Sequence, residues 1–191
     1  MHRDSVRWRH RALLGAMLLC ACAEPPDWTP ASTEQVAALQ GKQVKAERAR
    51  DALAAALLKE LSSALTKGGP ASGIEVCSRR SGEIAAAVRA EHGVAIGRTS
   101  FKLRNPSNAA PIWAADAVRD KVAEPRIFRS RSGSLGALYP IRLQPQCTLC
   151  HGPADQLAPD VRKALAARYP MDSATGFRPG DLRGWFWVEV P

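Results

Sequence analysis

Apolar residues recur at helical spacing along the first half of this 191-residue chain. After Ser32 they predict a long, alanine-rich helix that ends at the Gly-Gly-Pro run 68–70. A second helix is predicted from a capping box at Ser72 to a stop at Gly93. We expect the long helix either to pack on its own domain or to pair with a second copy of the chain in a homodimer.

The second half of the chain alternates between strand patterns and turn residues. The predicted strands are 94–104, 126–131, 138–143 and 185–190, and the shorter predicted helices are 111–122 and 159–168. This order of elements predicts an α+β domain. We expect a small antiparallel sheet with flanking helices and the long helix at its N-terminal side.

The N-terminus has the pattern of an export signal. Four arginines precede an apolar stretch that is too short to cross a bilayer. The run Leu19-Cys20-Ala21-Cys22 resembles a bacterial lipobox and makes Cys22 the predicted lipidation site. We therefore expect a signal peptide over 1–21, a tether over 22–31 and one exported domain over 32–191.

The lipobox predicts a location as well as a modification. A lipid on Cys22 would hold the domain in the periplasm without a transmembrane helix. No aspartate follows Cys22, which favours the outer membrane as the anchoring membrane. An ordinary cleaved signal with a soluble product is the alternative.

Charge narrows the range of partners. The chain carries a net charge of +9, which falls to +6 without residues 1–21, because they hold four arginines and one aspartate. The basic residues are spread out, with no Lys/Arg block between aromatic residues, so nucleic acid is not an expected partner. Anionic lipid, an acidic protein or an anionic cofactor suits this charge better.

The most specific chemical signal is the run Cys147-Thr148-Leu149-Cys150-His151. This Cys-x-x-Cys-His pattern is typical of covalent c-type haem attachment. Each cysteine can form a thioether with a vinyl group, and the histidine can give an imidazole nitrogen to the iron. A zinc site would require a second ligand pair, and a thioredoxin-like site a βαβ context, and neither is visible. The sequence therefore predicts one covalent haem c with His151 as the proximal ligand.

Export leaves few residues that could bind the opposite side of the iron. Once the signal peptide is removed, the common ligand types that remain are Cys77, His92 and Met171. Helical periodicity places Cys77 on the apolar face of its helix, which by itself favours packing as a small hydrophobic residue. Spacing alone leaves all three candidates open.

Several stretches together resemble the PAS-like c-type haem domains that are catalogued as a domain of unknown function. They are 73–78, 98–108, 139–141, 147–152 and 174–184. The most specific part of the resemblance is an arginine, Arg98, six residues before the run Arg104-Asn105-Pro106, with the haem motif downstream. The resemblance covers the chain from about residue 33 onwards. It implies a PAS-like sheet with helices on one side and His/Cys axial ligation, with Cys77 as the distal ligand.

This ligand set implies a redox function. A thiolate ligand donates electron density and stabilises ferric iron, so we expect redox sensing or electron transfer with an unidentified redox or signalling partner protein. Arg98, Lys102 and Arg104 are candidates to pair with the haem propionates, or else form an ordinary solvated basic strand face.

Two other functions remain open. In a gas sensor, CO or NO would displace Cys77 and signal through a separate partner. A peroxidase-like enzyme would require a distal acid/base, and only His92 could supply a histidine, so an enzyme is the less expected outcome.

Overall fold

The computed structural model describes residues 28–191. The predicted signal peptide, the lipidation site Cys22 and most of the predicted tether lie outside the described residues. None of the helices within 28–191 is both long and apolar enough to cross a membrane.

Five strands form one antiparallel sheet in the order β1-β3-β4-β5-β2. They are β1 (Trp28–Pro30), β2 (Ala95–Thr99), β3 (Arg126–Ser130), β4 (Leu135–Arg142) and β5 (Leu182–Val190). The helices are α1 (Thr33–Ala38), α2 (Gln40–His92), α3 (Ala115–Arg119), α4 (Thr148–His151) and α5 (Pro159–Arg168). The predicted α+β fold, with its antiparallel sheet, flanking helices and long N-terminal helix, is confirmed.

Helix α2 is a hairpin of two arms rather than one rod. Gly68 and Gly69 leave helical geometry, and Gly69 has a φ of +70°, which glycine adopts without strain. A Cβ at Gly73 would lie 3.0 Å from Leu61 Cδ1. In a straight helix residues twelve positions apart would be separated by ~18 Å. The break predicted at 68–70 is therefore present, and the second arm begins at Pro70 rather than at the predicted cap.

Both faces of the sheet are covered. Ala137 and Tyr139 of β4 belong to a core cluster that includes the buried α2 residues Ala46, Ala49 and Leu53. Leu138, which lies between them in sequence, belongs to a second cluster on the opposite face. That cluster includes three buried aromatic residues: Trp113, Phe128 and Trp185.

Three departures from the predicted elements change the path of the chain. Residues 28–30, within the predicted tether, form the edge strand β1 because Trp28 packs on Trp113, with ring centroids 5.6 Å apart. The predicted strand 94–104 ends at Thr99, since Ser100 Oγ accepts a hydrogen bond from Lys102 N and turns the chain out of the sheet. The predicted helix 111–122 is reduced to a 3-10 turn and the short α3.

Candidate functional site

One cavity at the end of the sheet collects most of the predicted site residues. It is lined by Cys77, Arg98, Arg104, Cys147, Cys150 and His151, among other residues. The second arm of α2 supplies Cys77, strand β2 supplies Arg98, and α4 with the turn before it supplies the Cys-x-x-Cys-His run. Residues far apart in sequence therefore meet at one place in the fold.

The cavity separates the three candidates for the second axial ligand. Cys77 lines it, whereas His92 and Met171 do not. His92 lies 15 residues further along the same arm of α2, about 22 Å at the α-helical rise. Met171 is 73 % exposed.

The haem-motif cysteines sit in two different apolar environments. A 3-10 turn over Pro145–Cys147 leads directly into α4, which places Cys147 and Cys150 about one helical turn apart. Cys150 packs against a cluster around Val161, and Cys147 against one around Phe177. Both are free thiols, as is Cys77.

His151 has one ring nitrogen fixed and the other left without a protein partner in the described chain. Its Nδ1 lies 2.8 Å from the carbonyl oxygen of Ala174. Because a carbonyl oxygen can only accept a hydrogen bond, Nδ1 carries the hydrogen, and Nε2 has the available lone pair. Arg183 Nε lies 3.3 Å from the same Nδ1, a close contact between two N–H groups rather than a second hydrogen bond. Burial, with Arg104 and Arg183 nearby, lowers the His151 pKa to about 3. The imidazole is therefore neutral at physiological pH, the form that binds metals.

Arg104 ties the haem motif to the loop after α5. Its Nη2 donates to the carbonyl of Cys150 at 2.6 Å and to that of Ala174 at 3.2 Å. Its Nε donates to Asp172 at 3.1 Å, and both side chains of this pair are largely buried. Asp172 also accepts from the backbone N–H of Ala174 at 2.7 Å. Arg104 therefore holds the carbonyl that fixes His151.

Arg98 is the one cation of the cavity without a partner among the described residues. It lies opposite Phe186 in the sheet, and Phe186 packs against the α2-facing core. Within residues 28–191 its guanidinium has no hydrogen bond or ion pair. Burial lowers its pKa, and nearby Cys77 partly opposes this. Burial likewise raises the pKa of the Cys77 thiol, and Arg98 and Arg104 partly oppose that shift.

The three predicted propionate partners thus have three different environments. Arg98 lines the cavity and has no partner in the part of the chain that the structure describes, whereas Arg104 lines it but is hydrogen-bonded to the backbone and to Asp172. Lys102 does not line the cavity, because its Nζ donates to the Thr175 carbonyl at 2.5 Å and lies over the Phe177 ring. Lys102 and Arg104 do not form the expected basic strand face with Arg98, since the chain leaves the sheet after Thr99.

The family-model comparison matches residues 29–191 to the model described as Tll0287-like. The chain belongs to the Tll0287-like family. No curated protein matches the chain. The crystal structure of the cyanobacterial heme-protein Tll0287 is similar, with 24 % sequence identity and a TM-score of 0.58. The match covers 84 % of this chain and 97 % of that one, and it supports the fold. The family resemblance drawn from the sequence is confirmed.

Residues of this Tll0287-like domain that sequence reasoning missed also line the cavity. Arg183 does so, and burial lowers its pKa to about 10. The cavity is also lined by Tyr169, at the end of α5, and by Thr99. The buried hydroxyl of Thr99 has no partner in the described chain. Arg183 lies in the stretch 174–184 that carries the family resemblance, which was its available signal. Thr99 lies in the stretch 98–108, which also carries the resemblance, whereas Tyr169 gave no signal, because its position depends on where α5 ends.

Proposed function

We propose that this chain is an exported haem protein with one c-type haem, attached through Cys147 and Cys150 and ligated by His151 and Cys77. The observation that carries this proposal is that all four side chains line one cavity. The structurally similar protein is itself titled a heme-protein. The donor set fits the cofactor, because two free thiols stand beside a neutral imidazole whose Nε2 has no hydrogen bond to any of residues 28–191.

Each side chain has a definite task in this proposal. His151 would give Nε2 to the iron while Ala174 holds Nδ1. Cys77 would bind as thiolate, losing its proton because a metal ligand must be deprotonated. The apolar clusters around Cys147 and Cys150 would keep water from the attachment side. When bound, the haem supplies a one-electron ferric/ferrous couple whose potential a thiolate ligand lowers.

The proposed role is therefore redox sensing or electron transfer with a partner protein in the periplasm. A lipid on Cys22 would hold the domain on the membrane, which we propose to be the outer membrane. This part is tested by fractionation of cells that produce the full chain or its Cys22→Ala variant, with Cys20→Ala as the matched control. We expect Cys22→Ala alone to leave the membrane fraction. Equal membrane retention of Cys22→Ala would contradict the anchor.

Haem attachment and ligation are tested separately on the full chain, produced in a host that matures c-type cytochromes. Covalent haem is measured by the mass of the denatured protein, and the axial ligand by the ferric EPR spectrum. We expect Cys147→Ala with Cys150→Ala to abolish covalent haem. Cys77→Ala should lose a low-spin thiolate signal that the control Met171→Ala retains. An unchanged EPR spectrum in Cys77→Ala would remove Cys77 as the ligand.

A gas-responsive sensor is the second candidate, favoured by the position of Cys77 on a helical arm that begins at a glycine hinge. Rapid CO binding by the ferrous protein, with loss of the thiolate spectrum, would support it. A peroxidase-like enzyme has less support. Within residues 28–191 His151 is the only histidine that lines the cavity, so the distal acid/base suggested for His92 lacks a place there.

A further inference from the structure

Arg104 and Asp172 form a buried charge pair directly behind the proposed haem ligand. Their side chains are only 13 % and 9 % exposed, and Arg104 Nε lies 3.1 Å from Asp172 Oδ2. The pair is connected to His151 through one atom, the carbonyl oxygen of Ala174. That oxygen accepts from both His151 Nδ1 and Arg104 Nη2.

The pair also fixes two backbone segments that meet at the histidine, the one that carries His151 and the one that carries Ala174. Arg104 Nη2 donates to the carbonyl of Cys150, the residue immediately before His151. Asp172 Oδ1 accepts from the N–H of Ala174. The loop that carries the acceptor and the helix that carries the ligand are therefore held by the same two side chains.

We propose that Arg104 and Asp172 are positioning residues that set the reduction potential of the haem through His151, with opposite signs. This inference rests on the proposed haem ligation by His151. It replaces the role first expected for Arg104, that of a propionate partner, because hydrogen bonds to Asp172, Cys150 and Ala174 occupy its Nε and Nη2.

The opposite signs follow from charge and hydrogen bonding. The Arg104 guanidinium draws density from the Ala174 carbonyl, which weakens the pull of that carbonyl on the Nδ1 hydrogen and makes His151 a poorer donor. Its positive charge also favours the more electron-rich ferrous state, since charges interact strongly where water is scarce. Asp172 balances this charge. Loss of Arg104 should therefore lower the potential, and loss of the Asp172 charge should raise it.

A structural role alone predicts a different pattern. Removing either partner of a buried ion pair leaves an uncompensated charge or an unfilled site, so both changes should destabilise the fold. If the only consequence were a looser site, both variants would also shift the potential in the same direction. The sign of the shift therefore distinguishes tuning from support.

The test uses the full-length haem-loaded protein and measures its potential by spectroelectrochemistry. We expect Arg104→Gln to shift the ferric/ferrous equilibrium about tenfold towards ferric, and Asp172→Asn about tenfold towards ferrous, each equal to 59 mV for one electron. The double variant should return to within about twofold of the wild type, because a neutral pair replaces a neutral pair. Arg104→Lys should keep more of the wild-type potential than Arg104→Gln, since it retains the charge.

The matched control is the exposed pair Arg119 and Asp116, whose side chains are 69 % and 81 % exposed. Arg119→Gln and Asp116→Asn should leave the potential unchanged. Shifts of the same sign in the two buried variants, or shifts below twofold, would overturn the proposal. If Arg104→Gln does not fold, Asp172→Asn still supplies the sign, and a shift of Asp172→Asn towards ferric would overturn the proposal. Absence of covalent haem in the wild type would instead refute the proposed function.

Discussion

His151 Nδ1 lies 2.8 Å from the carbonyl oxygen of Ala174, 23 residues later in the chain. Ala174 is fully buried. Two backbone hydrogen bonds connect the residues after it to the haem motif: Gly176 N donates to Gly152 O at 2.8 Å, and Phe177 N donates to His151 O at 2.9 Å. The loop after α5 therefore selects the free nitrogen of His151. A short sequence motif depends on a distant loop for its chemistry.

Ala174→Leu tests this dependence. The larger side chain has no space at a fully buried position, so it should displace the carbonyl and cost about 1–3 kcal/mol of unfolding free energy. We expect the His151 ligand signature in near-infrared magnetic circular dichroism to be lost or split. Ala109→Leu, at an exposed position, is the control and should change neither quantity. A retained ligand signature in Ala174→Leu would mean that the loop does not orient His151.

Arg98 should have opposite effects with and without haem. Its unpaired guanidinium in a cavity carries an uncompensated desolvation cost, so Arg98→Met should raise the unfolding free energy of the haem-free Cys147→Ala/Cys150→Ala protein by about 1–4 kcal/mol. In the haem-loaded protein the same change should destabilise, because an anionic group of the haem or its thiolate ligand loses its counter-charge. Urea unfolding measures the unfolding free energy of both the haem-free and the haem-loaded protein.

The control for Arg98→Met is Arg129→Met, at an exposed strand position, which should stay within about 0.5 kcal/mol in both forms. Equal effects of Arg98→Met in the two forms would show that Arg98 has no anionic partner in the haem-loaded protein.

Local patterns predicted the elements, whereas the site depended on where those elements meet. Helix α5 has the predicted bounds Pro159–Arg168, since its apolar residues repeat at helical spacing between clear ends. The hairpin break in α2 was likewise visible in the Gly-Gly-Pro run. The cysteine and histidine motif was recognisable because its chemistry is local.

The partners of the basic residues could not be predicted in the same way. Alternation around Phe101 suggested one strand with Lys102 and Arg104 on a common face. The chain instead turns at Ser100, whose Oγ donates to Arg183 O at 2.7 Å, a contact across 83 residues. The turn sends Arg104 into a buried network and Lys102 towards Thr175. Such contacts are set by tertiary packing, which no local pattern encodes.

Gly97 is required by the packing of strand β2, which carries Arg98 into the cavity. A Cβ at this position would lie 2.6 Å from the Trp187 ring, and a rigid aromatic ring in the sheet cannot move aside easily. We expect Gly97→Ala to cost about 1–3 kcal/mol of unfolding free energy. Gly82→Ala, in the second arm of α2 with open space around it, should instead stabilise by about 0.5–1 kcal/mol. Similar effects at both positions, measured by urea unfolding, would contradict this account of β2.

Glu75 links the arm that carries Cys77 to helix α5. Its carboxylate accepts from both Nε and Nη2 of Arg168 and also pairs with Arg79, one turn along its own arm. The side chains of Glu75 and Arg168 are 32 % and 44 % exposed, so the fork should contribute no more than about 1 kcal/mol and should weaken in salt.

Glu75→Gln should therefore increase hydrogen exchange along the arm 70–80 by up to about fivefold at low ionic strength, since 1 kcal/mol changes an opening equilibrium by about that factor. In 1 M salt, where the Debye length falls to about 3 Å, the difference from wild type should shrink. The matched change Glu83→Gln lies on the same arm and pairs only with Arg80 in the described chain, so it should leave exchange near Cys77 unchanged. An effect of Glu75→Gln that is equally large at both salt concentrations would indicate that shape, rather than charge, holds the arm against α5.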